Sequence, residues 1–211
     1  MVSIFGFIIF IYSIIIHEIA HGLVAEKLGD PTARISKRLT LNPLPHIDPL
    51  MSIFFPLFLI LSGSPIIFGS AKPVPIDPYN LRNIKKDMGL IGLAGPLSNL
   101  LLAIFFSLLA RLLLPYIQYS SILPILSKAV QINIVLALFN LIPLPPLDGG
   151  RVAVAILPEK YSDILASLER FGIFIVFFLL LFPTPFFSLP SVIFKLTSLL
   201  YSLIFPIFPL I

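Results

Sequence analysis

The chain has 211 residues, of which 58% are hydrophobic and only 11% are charged, and its mean hydropathy is +1.06. This composition predicts a polytopic membrane protein and leaves no room for a separate soluble domain. The net charge of +4 does not indicate a nucleic-acid partner, because the basic residues lie in loops between apolar runs, where they set orientation in the membrane.

The first predicted helix, residues 2 to 28, is long and apolar enough to span a membrane, and we expect it to remain in the mature protein. It contains a His-Glu-x-x-His motif at His17, Glu18 and His21. Residues four apart share one helix face, so both histidines can bind one metal ion, with Glu18 placed as a general base. Chance spacing or core packing is the alternative, but ionisable groups at this depth are costly, which favours function. Because the chain has no cysteine, any further ligand would be histidine or carboxylate.

A polar, basic segment follows at residues 26 to 48, and we expect it to hold short extended pieces. Its residues His46 and Asp48 are flanked by prolines. They could form a further metal pair, but a turn capped by a side chain is the preferred interpretation. The next apolar run, residues 50 to 68, is interrupted by Pro56 and by a Ser-Gly-Ser-Pro break. These interruptions are typical of a segment that re-enters the membrane or lies in its interface.

Two longer apolar runs carry the remaining motifs. The third run, from about Met88 to Leu114, contains a Gly-Pro-Leu-Ser-Asn sequence that indicates either close helix packing or a substrate-facing role for Asn99. The fourth run begins near Ile122 and ends at three prolines before Asp148. A carboxylate at such a break suits a third zinc ligand, with the fourth position left for water. An Asp-Gly turn at the membrane surface would explain the same residues equally well.

The last quarter of the chain contains no motif that indicates chemistry. A charged amphipathic segment precedes two apolar runs, which are separated by Pro183-Thr184-Pro185. Lys195 in the final run is expected to snorkel or to face a neighbour. We therefore divide the chain into a core at residues 1 to 155 and a C-terminal part at residues 156 to 211.

The metal site imposes a test on topology. His17 and His21 lie towards the C-terminal end of the first run, and Asp148 follows the fourth, so the two runs must be parallel. If every run crossed the membrane once, the first and fourth would be antiparallel, so residues 50 to 68 are expected to enter and return on one side or to lie in the interface. This topology also puts the basic loops on one face, as the positive-inside rule requires. It predicts an N-terminus outside the cell and a metal site nearer the cytoplasmic face.

The predicted fold is an all-α polytopic membrane protein with a three-helix catalytic core, a re-entrant or interfacial segment and additional C-terminal membrane helices. Three motifs support a specific family. They are His17-Glu18-x-x-His21, Gly95-Pro96-Leu97-Ser98-Asn99 and Asn140-x-x-Pro143-x-Pro145-x-x-Asp148-Gly149. With them, residues 1 to 152 resemble the site-2 protease family of intramembrane metalloproteases.

The resemblance implies one zinc ion per chain, held by His17, His21 and Asp148. It implies Glu18 as the catalytic base and Asn140 as a residue near the substrate or the oxyanion. The implied activity is cleavage of a transmembrane helix of a membrane-protein substrate, in regulated intramembrane proteolysis, within a prokaryotic cell membrane. That helix must first be unwound, and residues 26 to 48 are the candidate edge for the extended strand. The chain lacks the PDZ insertion of some relatives, so selection of substrates by such a domain is not expected.

Two other functions fit part of the pattern. A membrane zinc transporter could use the same groups as a transient site, but transporters usually line a path with several ionisable residues and often show internal repeats. The sequence shows neither feature. A proteolytically silent relative that binds membrane segments is less consistent with the intact Glu18.

Overall fold

The computed structural model describes residues 2–63, 69–117, 122–182 and 188–205. Regular structure in these ranges is helical and includes no strand, which confirms the all-α fold class. The α-helices are α1 (Val2–Leu28), α2 (Thr32–Ile35), α3 (Phe55–Leu61), α4 (Ile84–Ile117), α5 (Ile122–Asn140), α6 (Asp148–Ile156), α7 (Glu159–Ser167), α8 (Glu169–Leu181) and α9 (Leu189–Ile204). Shorter turns of 3₁₀ helix occur at Leu44–His46 and Pro78–Asn80, and a π-helical stretch occupies Pro49–Phe54.

Three helices in the described ranges, α1, α4 and α5, are long and apolar enough to cross a membrane. Helices α7 and α8 meet at a bend of 71°, the geometry of either a broken span or a re-entrant loop. Helix α9 is also apolar, but its 16 residues fall short of the roughly 20 that a membrane span needs. The chain is a multi-pass membrane protein.

Helices α1 and α4 pack in opposite directions. Nδ1 of His17 bonds to the side chain of Asn99, and Nδ1 of His21 bonds to the carbonyl oxygen of Ile91. Residue numbers therefore fall along α4 as they rise along α1, which makes the two helices antiparallel.

Helices α1 and α5 run in the same direction. The amide of Asn133 in α5 donates to the hydroxyl of Ser13 in α1. Nearer the N-terminal ends of both helices, Gly6 of α1 faces Lys128 of α5. Residue numbers rise together along the two helices. The parallel arrangement that a shared metal site requires is confirmed.

Small residues allow close helix contacts around the core. A Cβ atom on Gly89 would lie 2.3 Å from the Cβ of Ala155, and one on Gly92 would lie 3.0 Å from the carbonyl oxygen of Asp148. Glycine at these two positions lets α6 lie directly on α4. The first residue of α6, Asp148, is thereby held against the core.

The apolar segment after the first basic loop returns to its starting point. Its six π-helical and seven α-helical residues are together about 20 Å long, short of the roughly 30 Å of a bilayer core. The N–H of Ser70 donates to the carbonyl of Met51 (3.2 Å), and the hydroxyl of Ser52 donates to the carbonyl of Ser70 (2.7 Å). These contacts bring the two ends of the segment together, as expected for a segment that re-enters the membrane or lies in its interface rather than crossing once. We call residues 49–71 the hairpin; residues 64–68, which include part of its Ser-Gly-Ser-Pro break, lie outside the described residues.

The short extended pieces predicted in residues 26–48 occur at Ile47 and Asp48, whereas helix and turns occupy much of the rest. The buried carboxylate of Asp30 accepts hydrogen bonds from Thr32 and from the side-chain amide of Asn80, so the chain turns into α2 instead of extending. Burial raises the pKa of Asp30, but these hydrogen bonds outweigh that effect and hold the pKa below its ordinary value. Later in the segment, prolines lead into a 3₁₀ turn. Residues 26–48 contain no strand, so their contact with a substrate stays a prediction.

The C-terminal helix α9 packs on α4 and α5. The hydroxyl of Ser107 donates to the carbonyl of Ile204, and the hydroxyls of Ser127 and Tyr201 lie 2.8 Å apart. Lys195 is exposed, as snorkelling requires. The predicted Pro183-Thr184-Pro185 break lies outside the described residues.

Candidate metal centre

Three buried side chains from distant parts of the chain converge at one point. Nε2 of His17 and Nε2 of His21 lie 3.0 and 3.2 Å from Oδ2 of Asp148 and 3.1 Å from each other. Within the described residues, these three form the cluster of histidine and carboxylate side chains that could hold a metal ion. The structure thus brings together the three residues named as candidate ligands.

Local sequence explains how Asp148 reaches the histidines. Three prolines end the helical path after α5, and α6 begins at Asp148. A Cβ on Gly149 would lie 2.3 Å from the carbonyl oxygen of Leu141, and one on Gly150 would lie 2.4 Å from the nitrogen of Pro145. Only glycine lets the preceding loop fold back so tightly. The two glycines therefore fix the place at which the carboxylate is presented.

The opposite nitrogen of each imidazole is held by α4. Nδ1–H of His17 donates to Oδ1 of Asn99 (2.6 Å), and Nδ1–H of His21 donates to the carbonyl of Ile91 (2.7 Å). These acceptors place the ring hydrogens on Nδ1 and leave the Nε2 lone pairs facing Asp148. Both rings are thereby oriented with Nε2 towards Asp148, as metal binding requires.

Electrostatics favour an anionic third ligand. Nη1 of Arg151 lies 3.8 Å from the second carboxylate oxygen, Oδ1. The carboxylate is therefore ionised, as a metal ligand must be.

The chemistry of the donor set fits zinc. Two nitrogen lone pairs and a carboxylate oxygen face one another within 3.2 Å, and such an arrangement is repulsive unless a cation lies between the atoms. Tetrahedral zinc with bonds of about 2.0–2.1 Å spaces its ligands about 3.3 Å apart, close to these separations. The backbone of α4 leaves room, since a Cβ on Gly95 would lie 2.5 Å from Nε2 of both histidines. With two histidines and one carboxylate, a fourth position stays available.

Glu18 is held by a segment that runs past the centre. Residues 71–77, which we call the covering segment, contain neither helix nor strand. The N–H of Val74 donates to Oε2 of Glu18 at 2.8 Å, and the side chain of Val74 is buried beside Gly22. The carboxylate next to the first histidine is thereby fixed at one of its two oxygens.

Arg38 anchors the covering segment from the other side. Its Nη2 donates to the carbonyls of Lys72 (2.6 Å) and Pro73 (3.3 Å), and its side chain is largely buried. Burial lowers the pKa of Arg38, an effect that the negative charge of Glu18 opposes. Arg38 therefore contributes positive charge near Glu18 as well as two hydrogen bonds.

The two asparagines named from the motifs occupy different surroundings. Asn99 has no solvent-exposed surface and contacts the candidate ligand His17, so it lies between helices and not on an open surface. Asn140 is half-buried at the end of α5, where its amide donates to the carbonyl of Leu136 at 3.0 Å. Contact of either residue with a substrate stays a prediction.

His46 and Asp48 have structural contacts, in agreement with the preferred interpretation. Nε2–H of His46 donates to the carbonyl of Thr40 (2.9 Å). The carboxylate of Asp48 accepts the N–H groups of Leu50 and Met51, both at 2.9 Å, and so caps the π-helical stretch. Neither residue belongs to a metal cluster within the part of the chain that the structure describes.

Sequence reasoning missed three residues around the centre: Arg38, Val74 and Asn133. Val74 acts through its backbone, which leaves no signal in residue type. Arg38 resembled the other loop cations in the sequence. Asn133 did carry a signal, because a polar side chain in the middle of an apolar run is a candidate for function.

Comparison with known proteins assigns the family. A model of peptidase family M50 matches residues 115–183. The Bacillus subtilis protein named "Putative zinc metalloprotease YwhC" is 40% identical over 181 residues, which cover 83% of this chain and 78% of that protein. The chain belongs to peptidase family M50, the site-2 protease family. The resemblance inferred from the three motifs is confirmed.

Other site-2 protease relatives are more distant. The Mycobacterium tuberculosis protein named "Putative zinc metalloprotease Rip2" is 29% identical over 82% of this chain, and the chain spans 64% of its length. "Zinc metalloprotease MJ0392" of Methanocaldococcus jannaschii is 28% identical over 74% of this chain, and the match spans 35% of its length. No solved structure matches the chain. Membership in the site-2 protease family makes the chain a membrane metalloprotease by class.

Proposed function

We propose that this protein is an intramembrane zinc metalloprotease that hydrolyses peptide bonds of transmembrane or membrane-associated protein substrates. The observation that carries the proposal is the convergence of Nε2 of His17, Nε2 of His21 and Oδ2 of Asp148, with Glu18 the next residue after the first histidine. Both histidines and Glu18 belong to a helix that can span the membrane. Regulated intramembrane proteolysis is the process that such an activity would serve.

Bound by these three ligands, zinc would acidify a water molecule and polarise the scissile carbonyl. Glu18 accepts a proton from the attacking water as the water oxygen bonds to the carbonyl carbon, and it returns that proton to the nitrogen as the C–N bond breaks. The N–H of Val74 holds Oε2 of Glu18, so we assign the proton transfer to Oε1. Asn140, at the end of α5, is the proposed contact to the substrate or its oxyanion.

Access to a buried centre sets a condition on the substrate. A peptide bond within a helix is hydrogen bonded and shielded, so the substrate must unwind locally before its carbonyl can reach the site. The covering segment is a poor edge for strand addition, since Pro73 and Pro75 lack N–H groups and the N–H of Val74 is already bonded. Residues 26–48 stay the proposed edge for the unwound substrate strand.

The test compares Glu18→Gln with the wild type on a panel of single-span membrane substrates, using purified protein in detergent. A matched control is Glu26→Gln, which removes an exposed carboxylate two turns further along the same helix, where it pairs with Arg34. We expect cleavage by the wild type and by Glu26→Gln, loss of cleavage in Glu18→Gln, and about one zinc ion per chain in all three. Equal cleavage by Glu18→Gln would overturn the mechanism. Zinc binding without cleavage of any substrate would support the proteolytically silent alternative.

A further inference from the structure

A layer of polar side chains lies inside the three-helix core, beneath the metal centre. It consists of Ser13 in α1, Asn99 in α4 and Asn133 in α5, one residue from each of the long helices. Ser13 is 2% exposed, and both asparagines have no exposed surface. Polar groups at this depth of a membrane helix are costly unless each finds a partner, so three of them in contact call for an explanation.

The layer is a continuous hydrogen-bonded chain that ends on a candidate zinc ligand. Nδ2 of Asn133 donates to the hydroxyl of Ser13 (3.0 Å) and to the carbonyl of Ala129 (2.9 Å). Nδ2 of Asn99 donates to Oδ1 of Asn133 (3.0 Å) and to the carbonyl of Ser13 (3.3 Å). Oδ1 of Asn99 then accepts Nδ1–H of His17 at 2.6 Å. Every amide hydrogen of the two asparagines therefore has an acceptor.

This pattern determines which way the Asn99 amide faces. If the amide were reversed, its NH₂ group would face Nδ1–H of His17, and its oxygen would face two other acceptors, the carbonyl of Ser13 and Oδ1 of Asn133. In a water-poor interior, each mismatch leaves a polar group without a partner. Asn133 supplies one of the two acceptors that exclude the reversed amide, and its own orientation is fixed by Ala129 and by the Ser13 hydroxyl.

The orientation of Asn99 in turn determines the state of His17. An acceptor oxygen at Nδ1 keeps the hydrogen on that nitrogen and leaves the Nε2 lone pair for a metal. An NH₂ group in the same place would favour the other tautomer, with hydrogen on Nε2 and no lone pair for the ion. The hydrogen bond between His17 and Asn99, 2.6 Å long, also fixes the orientation of the imidazole ring.

We propose that Asn133 is a positioning residue for the metal centre: through Asn99 it fixes the tautomer and orientation of His17 and so raises the affinity for zinc. This inference rests on the proposed zinc site but not on proteolysis. It gives a role to a residue outside the three sequence motifs, 15 positions before Asp148 in the chain. It also means that each of the three long helices contributes a side chain to the hydrogen bonds that orient His17.

The experiment measures zinc affinity of the purified full chain by competition with a chelator, which reports on the site independently of any substrate. The variants are Asn133→Leu, Asn99→Leu and the double variant. Ser107→Ala is the matched control, because it removes a hydrogen bond from another buried side chain of α4 that contacts α9 and not the centre. Thermal unfolding of each variant is recorded in parallel.

We expect each single leucine variant to lose about 10- to 100-fold in zinc affinity, the range typical of groups that orient a metal ligand. The double variant should lose little more than Asn99→Leu, because Asn133 acts through Asn99. Ser107→Ala should bind zinc like the wild type even if its thermal stability falls. Wild-type affinity in folded Asn133→Leu, or losses that multiply in the double variant, would overturn the proposal.

A second variant covers the case in which Asn133→Leu does not fold. Asn133→Asp, held neutral by its burial between membrane helices, keeps an acceptor oxygen towards Asn99 and an O–H donor towards Ala129 or Ser13, so it should bind zinc no more weakly than the wild type. A loss of affinity in folded Asn133→Asp would overturn the positioning role. Failure of the wild type itself to bind zinc would overturn the proposed function and this inference together, whereas zinc binding unaffected by the asparagines would overturn this inference alone.

Discussion

Gly95 occupies a position where a single methyl group would change the chemistry of the centre. A Cβ there would lie 2.5 Å from Nε2 of His17 and of His21, the atoms assigned to the metal. The sequence indicated close helix packing for the motif that begins at Gly95, and the structure shows that the surface packed against it is the ligand pair itself.

Gly95→Ala should therefore weaken zinc binding without unfolding the protein. Alanine favours helix more than glycine does, so α4 should form as before, while the added methyl group displaces the imidazoles. We expect zinc affinity to fall by about tenfold or more, with a matching loss of cleavage. Gly6→Ala is the control, since its new Cβ would meet Lys128 at an ordinary 3.8 Å. Full zinc content in Gly95→Ala would show that the imidazoles can shift and still bind.

Helical periodicity predicted correctly which residues share one face of a single helix. His17 and His21 share a face because they are four residues apart, and the break before Asp148 marked where a third ligand could be presented. The parallel direction of α1 and α5 followed from requiring those ligands to meet. Long, periodic helices and prolines leave strong signals in sequence, so this part of the fold was predictable.

Contacts made by loop backbones were not predictable. The N–H that reaches Glu18 comes from Val74, 56 residues away, and its placement depends on Arg38 and on the hairpin. Residues 26–48 were predicted to hold short extended pieces, yet the Asp30 carboxylate and nearby prolines stabilise turns in much of the segment. In such segments, a few side-chain hydrogen bonds decide between conformations of similar intrinsic preference.

The hairpin can be tested with a designed disulfide. Ser52 and Ser70 lie at its two ends and share a hydrogen bond of 2.7 Å, and the chain has no native cysteine. We expect Ser52→Cys combined with Ser70→Cys to form an intramolecular bond on oxidation, seen as faster migration on a non-reducing gel. Each single variant serves as a control, because it cannot form that bond within one chain. If the residues lay on opposite sides of the membrane, no such bond could form.

For the whole molecule, charge and topology together suggest an orientation. The basic residues of the loops around α2 and before α4 lie at the same end as the metal centre, whereas Arg111 and Lys128 lie towards the opposite end. The positive-inside rule then places the metal centre nearer the cytoplasm and the N-terminus outside. We retain this orientation as a proposal.

Two exposed tyrosines at opposite ends of α4 provide the test. Tyr79 is 90% exposed just before the helix and Tyr116 is 85% exposed near its end, separated by a helix about 50 Å long. In intact cells, a membrane-impermeant thiol reagent should label Tyr116→Cys and leave Tyr79→Cys unlabelled. Both variants should react after permeabilisation, and the cysteine-free wild type should not react at all. The reverse labelling pattern would invert the proposed orientation.

The closed base of the hairpin has a consequence for how this protein can vary. The backbone of Ser70 is hydrogen bonded to Met51 and to Ser52, and these contacts form the base of the hairpin. They fix where the chain enters and leaves the hairpin, whatever the length of the loop between them. Lengthening such a loop adds little entropic cost, since the cost of closure grows only logarithmically with length. Insertions or deletions beyond the base should thus leave the covering segment and Glu18 in place. The sequence of the hairpin loop can therefore change, in evolution or by design, without altering the geometry of the metal centre.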